Sequence, residues 1–168
     1  DFCLSRGLGD VYKRQIIVWS DWRGADPDLY GQRVGSDGAP FWTVNGVPVC
    51  DKIGSQSGPE ITSVVGDFPG GAIVAWTDGR TDTSNVYLQK VDRLGERQWT
   101  EGGVAVCDML SYGPRITEDE ENGVITGWVY NRGWSGYEIP DIYAQRVDLN
   151  GTAKWAPNGI CIFYAPLI

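Results

Sequence analysis

The chain has 168 residues and a formal net charge of -8, with 23 glycines, 8 tryptophans and no histidine. Its length suits one domain of ordinary size. The negative balance argues against nucleic-acid binding, and the lack of any run of about 18 apolar residues argues against membrane insertion. Without histidine there is no Ser-His-Asp or Cys-His chemistry and no histidine-ligated metal, so catalysis would rest on carboxylates, Tyr, Lys or Arg.

Residues 1–15 read DFCLSRGLGDVYKRQ. They lack the apolar core of a signal peptide. They stand where a first strand is expected, yet do not match that strand elsewhere in the chain. The stretch SRGLGDVYKRQ resembles translated sequencing-library adapter, as found at the ends of assembled metagenomic genes. That resemblance implies a non-native leader over 1–15 and a fragment whose signal peptide is missing. The other reading is a divergent strand.

From Ile16 onward one unit is written three times. Its landmarks are Trp19, Trp76 and Trp128; Tyr30, Tyr87 and Tyr143; Trp42, Trp99 and Trp155; and Cys50, Cys107 and Cys161, at spacings of 52–57 residues. A period above about 50 residues excludes leucine-rich, ankyrin and tetratricopeptide arrays. The units fall at 16–51, 59–108 and 114–162, with a tail at 163–168.

Each unit divides into four strand-like pieces. The opening piece is PEITSVV at 59–65 and PRITE at 114–118, followed by the turns DFPGG and DEENG; the first unit is expected to lack it. The second piece is nearly all apolar, at Ile16–Trp19, Ala72–Trp76 and Val124–Trp128, which predicts strands buried on both faces. The third alternates: in Asp28–Val34, Tyr30, Gln32 and Val34 share one face while Leu29, Gly31 and Arg33 share the other. Asn85–Val91 and Asp141–Val147 follow the same pattern. A tight turn ending in Gly38, Gly95 or Gly151 comes next, where glycine supplies a positive φ. The fourth piece carries a Trp, then Asn45-Gly46, Gly102-Gly103 or Asn158-Gly159, then Val47–Cys50, Val104–Cys107 or Ile160–Ile162. The paired small residues predict a bulge or a wide turn.

Four antiparallel strands in about 50 residues match one blade of a β-propeller. The expected fold is all-β: three four-stranded antiparallel blades of a partial β-propeller, the first incomplete. The exposed terminal faces of such an arc predict self-association. A tandem β-sandwich and a β-solenoid are the alternatives.

At AWTDGR, NVYLQKVDRLG and QWTEGGVAVC the chain resembles a secreted bacterial β-propeller-like repeat family. The resemblance covers roughly residues 16–162, and its most specific part is the third strand: DLYGQRV, NVYLQKV, DIYAQRV. It implies blades of a large exported or surface protein and no particular activity. The third copy departs, with Val129-Tyr130-Asn131-Arg132 where the others carry Asp before Arg, so that ion pair is expected to be missing there. The spacing of Asp92, Gly95 and Trp99 resembles the Asp-box of sialidase propellers, but each gap is one residue longer and the leading Ser or Thr is absent.

Residues present in every unit read as scaffold. Trp19, Trp76, Trp128, Trp42, Trp99 and Trp155 belong here. So do Arg23, Arg80 and Arg132, expected to pair locally with Asp21 or Asp78 rather than to form a cationic cluster. Gln32, Gln89 and Gln145 are expected as buried amides serving loop backbone. Cys50, Cys107 and Cys161 are expected at equivalent positions, buried and unbridged.

Unrepeated loop residues are the candidates for ligand contact: Trp22, Asp26, Asp28, Asp82, Tyr112, Tyr130, Trp134, Tyr137 and Glu138. Aromatic planes beside carboxylates suit sugars and protein partners alike; packing and solvation of the loops is the plain alternative. Asp26-Pro27-Asp28 offers carboxylates to Ca²⁺ but lacks the D-x-[DN]-x-[DN]-G order of a Ca²⁺ loop, so no cofactor is expected and Ca²⁺ there is the minor alternative. The expected function is a non-enzymatic recognition or structural module, extracellular or on the cell surface, binding glycan or protein and packing against remaining blades of the same chain. The alternative is part of a glycoside hydrolase or sialidase-like propeller enzyme. Such chemistry needs two carboxylates at a set separation, and nothing in the spacing of Glu138, Asp26 and Asp82 selects a pair.

Overall fold

The computed structural model describes residues 2–4, 15–63, 71–133 and 140–166. The alternating and apolar runs of the sequence become twelve strands. The first four are β1 (Phe2–Leu4), β2 (Gln15–Asp21), β3 (Asp28–Val34) and β4 (Val47–Cys50). They are followed by β5 (Gln56–Ser63), β6 (Ala72–Asp78), β7 (Asn85–Val91) and β8 (Val104–Ala105). The last four are β9 (Ser111–Glu118), β10 (Gly123–Asn131), β11 (Pro140–Asp148) and β12 (Ile160–Phe163). They form three antiparallel sheets, each a meander of consecutive strands.

The opening strand starts three residues earlier than expected, at Gln56 rather than 59 and at Ser111 rather than 114. β5 and β9 begin at Gln56 and Ser111 because backbone pairing continues past the bulges at Ser57/Glu60 and Gly127/Val129. The expected absence of an opening strand in the first unit is corrected. Phe2–Leu4 pairs along the outside of β2, with Cys3 opposite Val18. An open strand edge is a row of unpaired backbone groups that any extended segment can satisfy, so a stretch with no sequence likeness to β5 or β9 takes that place.

Register is conserved where loop length is not. Trp19 faces Tyr30, Trp76 faces Tyr87 and Trp128 faces Tyr143 across the central strand pair. The chain from Trp128 to Tyr143 is four residues longer than from Trp19 to Tyr30 or from Trp76 to Tyr87, and the extra chain leaves the pairing unshifted. The following turns also repeat. Gly38, Gly95 and Gly151 have φ of 81°, 88° and 81°, and bridges join Val34 to Pro40, Val91 to Arg97 and Val147 to Ala153.

The sheets stack face to face in chain order. Ile16, Val18, Leu29 and Val49 of the first sheet pack on Ala72, Val74, Trp76 and Val91 of the second. The other face of the second sheet, with Ile73, Ala75, Val86 and Leu88, packs on Val124, Trp128 and Val147 of the third. The same two faces are therefore used at each junction. Burial on both faces, expected for all three second strands, holds for β6 alone. β2 alternates between buried and half-buried, because its sheet has one covered face.

Candidate functional site

A four-residue cassette sits where the second strand meets the third. Trp76 Nε1 donates to Asp78 Oδ2 at 2.7 Å. Arg80 donates to Asp78 Oδ1 from its backbone N at 3.0 Å and from Nε at 2.8 Å. The guanidinium then lies 4.1 Å above the Tyr87 ring. Trp19, Asp21, Arg23 and Tyr30 repeat this, with Trp19 Nε1 to Asp21 Oδ2 at 3.0 Å and Arg23 at 3.5 Å over Tyr30. The Arg23 and Trp19 hydrogen bonds hold the Asp21 carboxyl well below the usual carboxylate range. The repeated arginines are thus consumed by local pairing and stacking.

The third unit is rewired. Tyr130 stands in place of Asp21 and Asp78, and its ring meets Tyr143 edge-on at 5.5 Å. The ion pair expected to be missing is instead made across the strand pair. Arg132 Nη2 donates to Asp141 Oδ1 at 2.9 Å and to Ala165 O at 2.5 Å, and the guanidinium stacks on Tyr164 at 3.7 Å. Asp141 is the direct cross-strand neighbour of Tyr130, so the carboxylate has moved from one strand to its partner while the arginine stays. The indole of Trp128 loses its acceptor, and its buried Nε1 has no hydrogen-bond partner among the described residues.

Each glutamine clamps the loop that follows its strand. Gln89 Nε2 donates to Thr100 O at 2.7 Å, and Gln89 Oε1 accepts from Trp99 N at 3.1 Å. Gln145 does the same with Ala156 O and Trp155 N, and Gln32 with Thr43 O and Trp42 N. Gln89 and Gln145 are buried, as expected; Gln32 is only half-buried, because nothing among the described residues covers its face.

The cysteines depart from the expected equivalence. Cys50 and Cys107 are buried and unbridged, but Cys161 is exposed. Cys161 pairs with Tyr143, the position that Pro48 holds opposite Tyr30, while Phe163 stands where Cys50 does. The recurring letter is therefore two residues out of register. Burial raises the Cys50 thiol above its ordinary value.

The unrepeated loops lie at the same end of their sheets as the connections between sheets. Gly54 N donates to Asp26 Oδ2 at 3.3 Å, Gly79 N to Ser55 O at 2.7 Å, and Asn131 N to Leu110 O at 3.0 Å. Among the candidates, Trp22 is 74% exposed and Asp82 is exposed; neither makes a hydrogen bond or ring contact among the described residues. Asp28 opens β3 directly opposite Asp21. Partial burial, then Asp51, Asp26 and Asp21, push its carboxyl up. Tyr112 and Tyr130 lie in β9 and β10 rather than in loops, and Tyr130 belongs with the scaffold by its contact to Tyr143. Trp134, Tyr137 and Glu138 lie outside the described residues. Among the described residues no three acidic or cysteine side chains converge as metal donors.

Sequence reasoning missed Asp141, Tyr164 and Asn45 as partners of the repeated arginines. Asp141 carried a readable signal, since the loss of Asp at position 130 left Arg132 without its usual acid. No protein-family model and no curated protein matches the chain.

Proposed function

We propose that the chain is a run of three propeller blades that serves as a non-enzymatic recognition module of an exported protein, with a glycan or protein ligand bound at its loop end. The observation that carries this reading is the division of labour between repeated and unrepeated side chains. The repeated Trp, Gln and Arg are nearly all held in intramolecular bonds, whereas Trp22 is 74% exposed in the β2–β3 loop, which also holds Asp26 and leads into Asp28. An exposed indole on a loop that also carries carboxylates offers a stacking plane and hydrogen-bond acceptors to a sugar ring or a protein surface. The blade reading is supported by four-stranded antiparallel meanders stacked through the same pair of faces at each junction.

A glycan array probed with the chain tests the ligand class. Trp22→Ala is expected to abolish a signal that the parent shows, with circular dichroism and Tm unchanged. An unaltered array signal for Trp22→Ala and Asp26→Asn would remove this site.

A further inference from the structure

Among the described residues two faces remain open, and they are the two halves of the junction used twice inside the molecule. At the far side of the third sheet, Ile142 is 37% and Ile162 60% exposed. The residues in their register positions, Leu29 and Val49, or Val86 and Val106, are buried by the sheet that follows. At the near side of the first sheet, Ile17, Trp19 and Val34 are only half-buried, whereas their counterparts Val74, Trp76 and Val91 are fully buried.

Specific bonds repeat at each existing junction and are unmade at the ends. Trp42 Nε1 donates to Arg93 O at 3.0 Å, with its ring 3.0 Å from where a Cβ on Gly95 would stand. Trp99 Nε1 donates to Leu149 O at 3.0 Å, with its ring in the same place against Gly151. The third tryptophan, Trp155, has no acceptor for its Nε1 among the described residues, and the first turn glycine, Gly38, has open space around it. The cassettes show the same complementarity. Arg80 in the second is closed over by Cys50 Sγ at 3.4 Å. The first is an open recess lined by Trp19, Asp21, Arg23 and Asn45. Phe163, which holds the register position of Cys50, is 53% exposed.

We infer that two copies of this chain associate head to tail, the third sheet of each covering the first sheet of the other. Trp155 then seats on the Gly35–Gly38 turn of the second copy and Phe163 enters its open recess. Unlike faces meet, so the contact is heterologous and must either close or grow. The closure rests on the blade reading above. Propellers close with about 4–8 blades, and two copies of this three-sheet chain supply six.

Sedimentation velocity and native mass spectrometry on the whole chain test the pairing. A dimer is expected, and Ile162→Asp at the tail or Val34→Asp at the head should each yield a folded monomer by circular dichroism. Mixing those two variants should restore a dimer, because the pair retains one intact head and one intact tail. A parent that stays monomeric at every concentration overturns the pairing while leaving the blade reading in place. Loss of dimer with Ile162→Asp but not Val34→Asp also overturns it, in favour of tail-to-tail contact. Open-ended growth of the parent keeps the contact and sinks both the ring and the blade reading.

Discussion

At the scale of single residues, the three cassettes form a natural mutant series. Asp78 is fully buried and bound by both an indole and a guanidinium. Asp78→Asn is expected to cost about 3–5 kcal/mol in urea unfolding, the range for breaking a buried pair. Asp21→Asn, at a half-exposed site, should cost about 1 kcal/mol or less. Asp141→Asn should behave like Asp78→Asn. Adding Tyr130→Asp to it recreates the second unit's arrangement, gives Trp128 Nε1 an acceptor, and should recover most of the loss. Asp28 works in the opposite direction to Asp21. The carboxyl of Asp21 is lowered on folding, so its contribution is present above the unfolded value near about 3.9 and lost as pH falls below it. That of Asp28 is raised, so its ionisation destabilises the fold as pH rises from the unfolded value through the folded one. Asp28→Asn should therefore gain about 0.2–1 kcal/mol at neutral pH, by removing a partly buried charge that also faces Asp51, Asp26 and its cross-strand neighbour Asp21. The gain should vanish at pH 3, measured by urea unfolding at both pH values. Asn85 already fills that position in the second unit.

At the scale of the element, the bends before the fourth strand explain the repeated glycines by contact as well as by conformation. A Cβ on Gly103 would stand 2.5 Å from Leu88 O and 2.6 Å from the Trp76 ring, at φ 79°. Gly46 and Gly159 meet Trp19 and Trp128 in the same way. Gly38 shares the positive φ but has nothing within 4 Å. Gly38→Ala should cost about 1–2 kcal/mol, the left-handed penalty alone. Gly103→Ala adds overpacking of about 1–3 kcal/mol, and thermal melts of the two variants should differ accordingly. The strands themselves were legible from the sequence: Asp28–Val34, Asn85–Val91 and Val47–Cys50 match residue for residue, because alternation and bounding turns act locally. What the sequence hid was positional. The repeated cysteine letter drew the third fourth strand out of register, and only the pairing of Tyr143 with Cys161 reveals that Phe163 fills the place of Cys50. A strand edge filled by Phe2–Leu4 was equally hidden, since edge pairing uses backbone and asks little of side chains.

At the scale of the whole molecule, the two buried clusters among the described residues join the first sheet to the second and the second to the third, so stability should divide by junction. Trp42→Phe removes the bond to Arg93 O and should speed hydrogen exchange in β2–β4 and β7 while leaving β9–β12 unchanged. Trp99→Phe should do the reverse, loosening β10–β12 and sparing β2–β4. Uniform loss of protection in either variant would show one cooperative block instead. The candidate loops were legible only as unrepeated sequence, and Tyr130 shows the limit of that rule: a side chain can be unique to its unit because it replaces a scaffold residue. The Trp-to-turn bond has one more consequence, for how such a chain lengthens over generations. Donor and acceptor both lie within the recurring segment: the acceptor carbonyl, of Arg93 or Leu149, in the turn after the third strand, and the tryptophan a few residues beyond that turn. A tandem duplication of that stretch of gene inherits a matched lock and key at both of its borders. New length then arises without a second mutation to fit it, and selection is left free to vary the loops.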